Sequence, residues 1–174
     1  MQSQRFAARW SLSVWIITLA VIVFTVFAVG GMLWTATRDS HTSEGWLLVL
    51  GALALPTVVC ITVFFAPLGY SVLPRGVVIH RMGRNVAVGF EQIAEIRRID
   101  SKEIGLAIRV FGSGGLFGWF GRFYGSRLGW FTAYGSSGRD LVLISLTDGA
   151  KIVISPHPAE GFLETAGRAR RGFV

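Results

Sequence analysis

The chain has 174 residues and a formal net charge of +7, from 17 Lys and Arg against 10 Asp and Glu, yet only 16% of it is charged and 52% is hydrophobic. That balance excludes a disordered segment and is too apolar for an ordinary soluble enzyme. A single cysteine, Cys60, excludes both a disulfide framework and a cysteine-based metal site.

Charge is spread unevenly, with none between Ser11 and Thr37 and none between Gly45 and Pro74. Residues 1–10 form a short basic leader to the first uncharged run, about 11–34, whose ~23 helical residues cover about 34 Å, enough for a ~30 Å hydrocarbon core. The second run, about 46–70, is also long enough to span and carries Pro56, where a kink is expected. Residues 11–70 therefore read as a transmembrane helical hairpin, with Trp10, Trp34, Trp46 and Tyr70 as interfacial anchors. A cleaved leader peptide competes for the first run, but the run is too long and no small-residue cleavage site follows before Thr35.

Arg5 and Arg9 precede the hairpin and Arg75, Arg81 and Arg84 follow it, against one Arg in the linker Thr35 to Glu44. The positive-inside bias puts both termini on the cytoplasmic side of an inner membrane. Neither span holds an Asp, Glu, Lys, Arg or His, so nothing there builds an ion path, a proton relay or a His-ligated haem site. The hairpin reads as an anchor.

Residues 71–174 read as strands followed by one helix. Gly76 to Arg81 and Asn85 to Phe90 flank a Met82-Gly83 turn, and Ile93 to Asp100 is a third strand, although its spacing of three would also suit a helix or a bulge. Ile104 to Phe111 alternates, which predicts a half-buried strand with Leu106, Ile108 and Val110 inward. Trp130 to Gly135, Asp140 to Leu146 and Ala150 to Ser155 complete seven, the last two joined by Asp148-Gly149. Pro158 suits the first position of a C-terminal helix, with Glu160 in its first turn, Arg168, Arg170 and Arg171 in its last, and Phe162, Leu163 and Ala166 facing the sheet.

Two spans, this strand count, the segment GSGGLFGWFGRFYGSRLGWFTAYGS (112–136) and the ending ISPHPAEGFLETA (154–166) together resemble the bacterial pleckstrin-homology (PH)-like membrane proteins. The resemblance covers roughly residues 70–170. It implies an α+β chain: a transmembrane hairpin, then a PH-like seven-stranded antiparallel β-barrel or sandwich closed by a C-terminal helix. It supplies a fold and no reaction.

One segment departs furthest from ordinary loop composition. Gly112 to Trp130 holds seven glycines and six aromatics, with Arg122 and Arg127 its only charges. It is too long for a simple hairpin loop. In an antiparallel meander that leaves the bilayer at Gly76, the Arg81–Arg84 turn is distal and the connection after the fourth strand is proximal. Phe117, Trp119, Phe120, Arg122, Phe123, Tyr124, Arg127 and Trp130 are accordingly the candidate membrane- or partner-contacting residues. The competing reading is that the aromatics plug the open end of the barrel, the glycines permitting tight reversals.

His80 and His157 are the only histidines after the hairpin, and no spacing places either beside a nucleophile and an orienting carboxylate. The glycine-rich segment lacks a Gly-Lys-Ser/Thr phosphate loop, and two arginines make a weak groove for single-stranded nucleic acid. No enzyme, cofactor, metal or nucleic-acid partner is expected. The sequence points to a non-catalytic binding or scaffolding module whose partners are the bilayer and a protein of a larger membrane complex or a second copy. The alternative is a lipid-headgroup or envelope-stress module working alone.

Overall fold

The computed structural model describes residues 4–38 and 45–173. Two long helices, α1 (Leu12–Arg38) and α2 (Gly45–Phe65), pack against each other. Their contact is close enough that a Cβ at Gly51 would lie 3.4 Å from the Met32 sulfur. Both are long and apolar enough to cross a membrane. Their outward side chains, such as Phe24 and Phe27, are uncovered by the rest of the chain. α2 continues through Pro56. The connection expected between them lies, at residues 39–44, outside the described residues.

α2 stops at Phe65 rather than near Tyr70, because Pro67 has no N–H to extend the ladder. Residues Pro67–Leu73 instead form β2, which the uniform apolarity of the run had hidden. β1 (Gln4–Ala7), also unexpected from sequence, lies antiparallel to β2 with Phe6 opposite Tyr70. β3 (Gly76–Arg81) and β4 (Val86–Gly89) then form the predicted hairpin, completing a four-stranded sheet in the order β1-β2-β3-β4.

A 3₁₀ turn at Phe90–Gln92 interrupts the ladder, so β5 (Ile93–Ile99) starts a second sheet. Asp100 caps a one-turn helix, α3 (Ser101–Ile104), accepting from the Lys102 N–H, while Glu103 accepts from the Asp100 N–H at 3.1 Å. β6 (Ala107–Gly115), β7 (Gly118–Gly125), β8 (Gly129–Gly135), β9 (Leu141–Leu146) and β10 (Lys151–Ile154) follow, and α4 (Ala159–Arg171) ends the fold. The second sheet runs β5-β9-β10-β8-β7-β6.

This corrects the barrel expected from sequence. Two open sheets carry ten strands among the described residues, not seven, and β8 pairs with β10 in parallel. Neither sheet closes on itself, because the 3₁₀ break after β4 hands the chain from one sheet to the other.

Both sheets and α4 share one core, including Tyr70, Val77 and Ile79 from the first, Val142, Ile144 and Ile154 from the second, and Phe162 from the helix. The opposite face of the six-stranded sheet carries another cluster, with Phe123, Phe131, Leu141, Leu143 and Val153 under Ile104 of α3. β9 is therefore buried on both faces, which is why it reads as an unbroken apolar run rather than an alternation.

Tyr70 ties the sheets together. Its ring is fully enclosed, its hydroxyl donates to the Tyr134 carbonyl at 2.6 Å and accepts from the Ser155 N–H at 3.3 Å, and burial pushes its pKa up to about 12. An aromatic so enclosed offers lipid no face, so Tyr70 is a core residue and not the interfacial anchor its place after an apolar run suggested. Tyr70→Phe leaves a buried acceptor without its donor. We expect it to cost about 1–3 kcal/mol, measured as a lower denaturation midpoint of the detergent-solubilised protein.

Candidate functional site

The extra strand β2 changes which turns lie beside the helices. The chain leaves α2, runs out along β2 and returns along β3, so the β3–β4 turn comes back to the end of α2. There the Gly83 N–H donates to the Phe64 carbonyl at 3.0 Å. The Arg81 guanidinium sits 5.9 Å from the Phe65 ring centroid and 5.3 Å from that of Tyr134. The Arg81–Arg84 turn, predicted to be distal, is thus at the helix end, because the count of strands began one too late.

The glycine-aromatic segment is a two-stranded hairpin, β6–β7, rather than a loop, extended by β8. Its tip also meets the helices. The Phe117 N–H donates to the Thr18 hydroxyl of α1 at 3.0 Å, and a Cβ at Gly115 would lie 3.0 Å from Ile17. Phe117 and Phe120 are buried with Ala66, against Trp10, Val59 and Val63. A second tether holds the start of α1, where the Ser11 N–H donates to the Ser136 carbonyl at 3.1 Å and the Ser136 hydroxyl to the Arg9 carbonyl at 3.0 Å.

Burial divides the eight candidate residues. Phe117, Phe120 and Phe123 are buried, and Trp119 is half-buried with its indole N–H donating to the Ser137 carbonyl at 3.1 Å. Arg122, Tyr124, Arg127 and Trp130 are exposed. Tyr124 and Trp130 meet edge to face at 5.4 Å, and Arg127 donates to the Lys102 carbonyl at 3.2 Å. Trp34 and Trp46 are exposed on the helices, while Trp10 is half-buried 5.9 Å from Phe117. Four of the eight are thus packed inside the protein, and the other four face outward.

The largest departure from expectation lies on β6. The alternation predicted that Leu106, Ile108 and Val110 pack inward, but they are 83%, 64% and 55% exposed, and Phe111 is 76% exposed. β6 is the last strand of its sheet, and α1 meets it only toward its tip, at Gly115. Alternation marks a face but not what lies against it. Cross-strand register puts Ile108 beside Tyr124 and Phe111 beside Arg122, so one uncovered apolar surface with a single guanidinium runs over β6, β7 and β8.

Polar clusters elsewhere are structural in geometry. His157 Nδ1 lies 3.3 Å from an Asp140 carboxylate oxygen, a pair that sequence spacing did not reveal, but its Nε2 faces the Arg9 guanidinium at 3.2 Å and no nucleophile. Arg98 bridges Asp140 at 3.1 Å and Glu160 at 2.8 Å. Asp100 and Glu103 are held below the usual carboxylate range, Asp100 by the Lys102 N–H and the Ser101 hydroxyl, Glu103 by the Arg97 guanidinium. On the outer face of the first sheet, the His80 Nε2 lies 2.8 Å from the Ser71 hydroxyl. Burial, then the positive charge of Arg5, lowers the pKa of His80.

These elements define an α+β domain carried directly on two apolar helices, with two of its hairpins against the helix ends. Residues 68–169 match the family model for the bacterial PH domain, more than half of the chain, and the chain belongs to that family. No curated protein and no solved structure matches it.

The buried and exposed parts of the hairpin separate by mutation. Phe123→Ala should lower stability by about 3–5 kcal/mol. Ile108→Ser should change it by no more than about 0.5 kcal/mol in the same denaturation series. His80 gives a pH signature. Because the folded chain resists protonating this imidazole, unfolded chains take up the proton first, so stability is full above 6.5, the ordinary value, and falls as the pH drops below it. Melting temperatures between pH 8 and pH 5, on the order of the histidine range, should show that decline, and His80→Gln should flatten it.

Proposed function

We propose that the protein is a non-catalytic, membrane-anchored binding module, an accessory or assembly subunit of a larger membrane complex. α1 and α2 cross an inner membrane, both termini lie in the cytoplasm, and the domain after α2 rests on the inner leaflet. The observation that carries this reading is the uncovered apolar surface of Leu106, Ile108, Val110, Phe111, Tyr124 and Trp130. An edge strand with such side chains is an aggregation hazard for a free protein and an ordinary surface for one that is held in an assembly. Helices with no chemistry of their own add further packing surface.

A second reading, a lipid-headgroup module working alone, is favoured by the β3–β4 turn. Arg81, exposed Met82 and exposed Arg84 sit at the end of α2, where basic residues meet anionic headgroups and an apolar side chain can enter the interface.

Purification from native membranes in mild detergent, followed by mass spectrometry, tests the two. The subunit reading expects stoichiometric co-purifying polypeptides that are lost in the Ile108→Ser, Trp130→Ser variant while its melting temperature stays unchanged. A monodisperse particle, with no other polypeptide, that binds anionic liposomes through Arg81 and Arg84 would overturn it in favour of the lipid reading.

A further inference from the structure

A cleft of about 530 Å³ separates the edge of β6 from the helices. One wall is apolar and belongs to α1 and α2, with Ile17, Val58 and Ile61 prominent. The other is the outer edge of β6 from Arg109 to Gly114, which no strand of the described chain pairs. If Trp34 and Trp46 mark the outer interface, a ~30 Å span of about 20 residues ends near Val14 on α1 and Phe65 on α2. Ile17 and Ile61 then lie about one helical turn inside the hydrocarbon boundary, and Val58 about two.

That placement sets an unusual demand. An open sheet edge beside hydrocarbon leaves backbone N–H and C=O groups unsatisfied, which membranes do not tolerate unless something polar covers them. The apolar wall opposite asks for an acyl chain. One amphiphile meets both demands where water or hydrocarbon alone meets one.

Arg109 supplies the charge. Its guanidinium turns along the glycines of its own strand toward the hairpin tip, with Nη1 3.6 Å from where a Gly114 Cβ would stand. No carboxylate lies within ion-pair distance of it among the described residues, and the sequence has no acidic residue between Glu103 and Asp140. Its counter-ion comes from outside the described residues. A guanidinium at the boundary of an apolar cleft fits a phosphate.

We propose that this cleft holds one anionic phospholipid, its headgroup phosphate on the Arg109 guanidinium and the β6 edge, and an acyl chain on Ile17, Val58 and Ile61. The proposal rests on the reading that α1 and α2 cross the bilayer. An extended peptide could pair with the edge, but at this depth its own far edge would be left open, so the lipid is the better occupant.

Native mass spectrometry of the full-length protein in mild detergent tests it, with phosphatidylglycerol and phosphatidylcholine as probes. Wild type should retain one phosphatidylglycerol in preference to phosphatidylcholine. Arg109→Gln should weaken that retention about fivefold, the factor one basic residue near an anionic lipid surface is worth. Ile61→Trp, which fills the apolar wall without touching the domain core, should weaken it too. Arg75→Gln, at the exposed far turn between β2 and β3, should not. Retention unchanged in both cleft variants, equal retention of phosphatidylcholine, or a bound peptide in place of lipid overturns the proposal. An alkaline carbonate wash keeps the two readings apart. If wild type leaves the membrane, the anchoring reading fails. If it stays and Arg109→Gln still holds phosphatidylglycerol as wild type does, only the lipid site fails.

Discussion

One residue separates the second helix from β2 of the four-stranded sheet. Phe65 closes α2 and Pro67 opens β2, with buried Ala66 between them. A tether this short leaves no freedom for a domain to swing, and two further ties to α1, at Ser11 and Thr18, restrain it on the other side. Which edges meet the helix ends follows from that constraint. A flexible linker of even ten residues would let any face approach the bilayer, at little entropic cost per added residue. Here the β3–β4 turn and the β6–β7 tip are the elements that reach the helices.

Stability and exposure are divided between the interior strands and one edge of the six-stranded sheet. β9 and β10 lie in the middle, with Val142, Ile144 and Ile154 against the first sheet and α4, and Leu143 and Val153 against the opposite cluster. Side chains there are enclosed from both sides, so large-to-small changes leave cavities that cannot collapse. At the β6 edge the same kinds of residue, Leu and Ile and Val, face outward. Composition alone does not distinguish these sites. Their position in the strand order does.

That distinction also explains what the sequence could reveal. Strands with clear turns at their ends were legible, including β3, β4, β9 and β10, because Met82-Gly83 and Asp148-Gly149 mark reversals and the runs between are β-branched. The C-terminal helix was legible from Pro158 and its terminal arginines. β2 was not, since PLGYSVL continues an apolar run without a break in hydropathy, and hydropathy has no term for backbone direction. Missing it reversed the β3–β4 hairpin, which put Arg81 and Arg84 at the wrong end. β1 has one inward side chain of size, Phe6, too little for a pattern. In β6 the alternation was real, but a register shift between Arg109 and Phe111 breaks its period, and the exposure of Leu106, Ile108 and Val110 is a tertiary fact.

The glycines of the β6–β7 hairpin show why its aromatic content was hard to interpret. Gly112 and Gly121 face each other across the two strands, both at positive φ, and a Cβ on either would strike the backbone of the other strand, at the Phe120 and Phe111 carbonyls respectively. Only glycine permits that approach. The backbone there is thin, so large side chains on either side of it fill the volume: Phe120 and Phe117 against the helices, Trp119 and Phe123 against the far cluster. A ribbon of this kind can pass beside α1 without pushing it away, which a Val- or Thr-rich strand could not do. Its composition therefore reflects the close passage of a sheet past a long apolar helix, and the unpaired outer edge of β6 is a consequence of the same passage, since any strand added there would have to occupy the space next to Ile17 and Ile61.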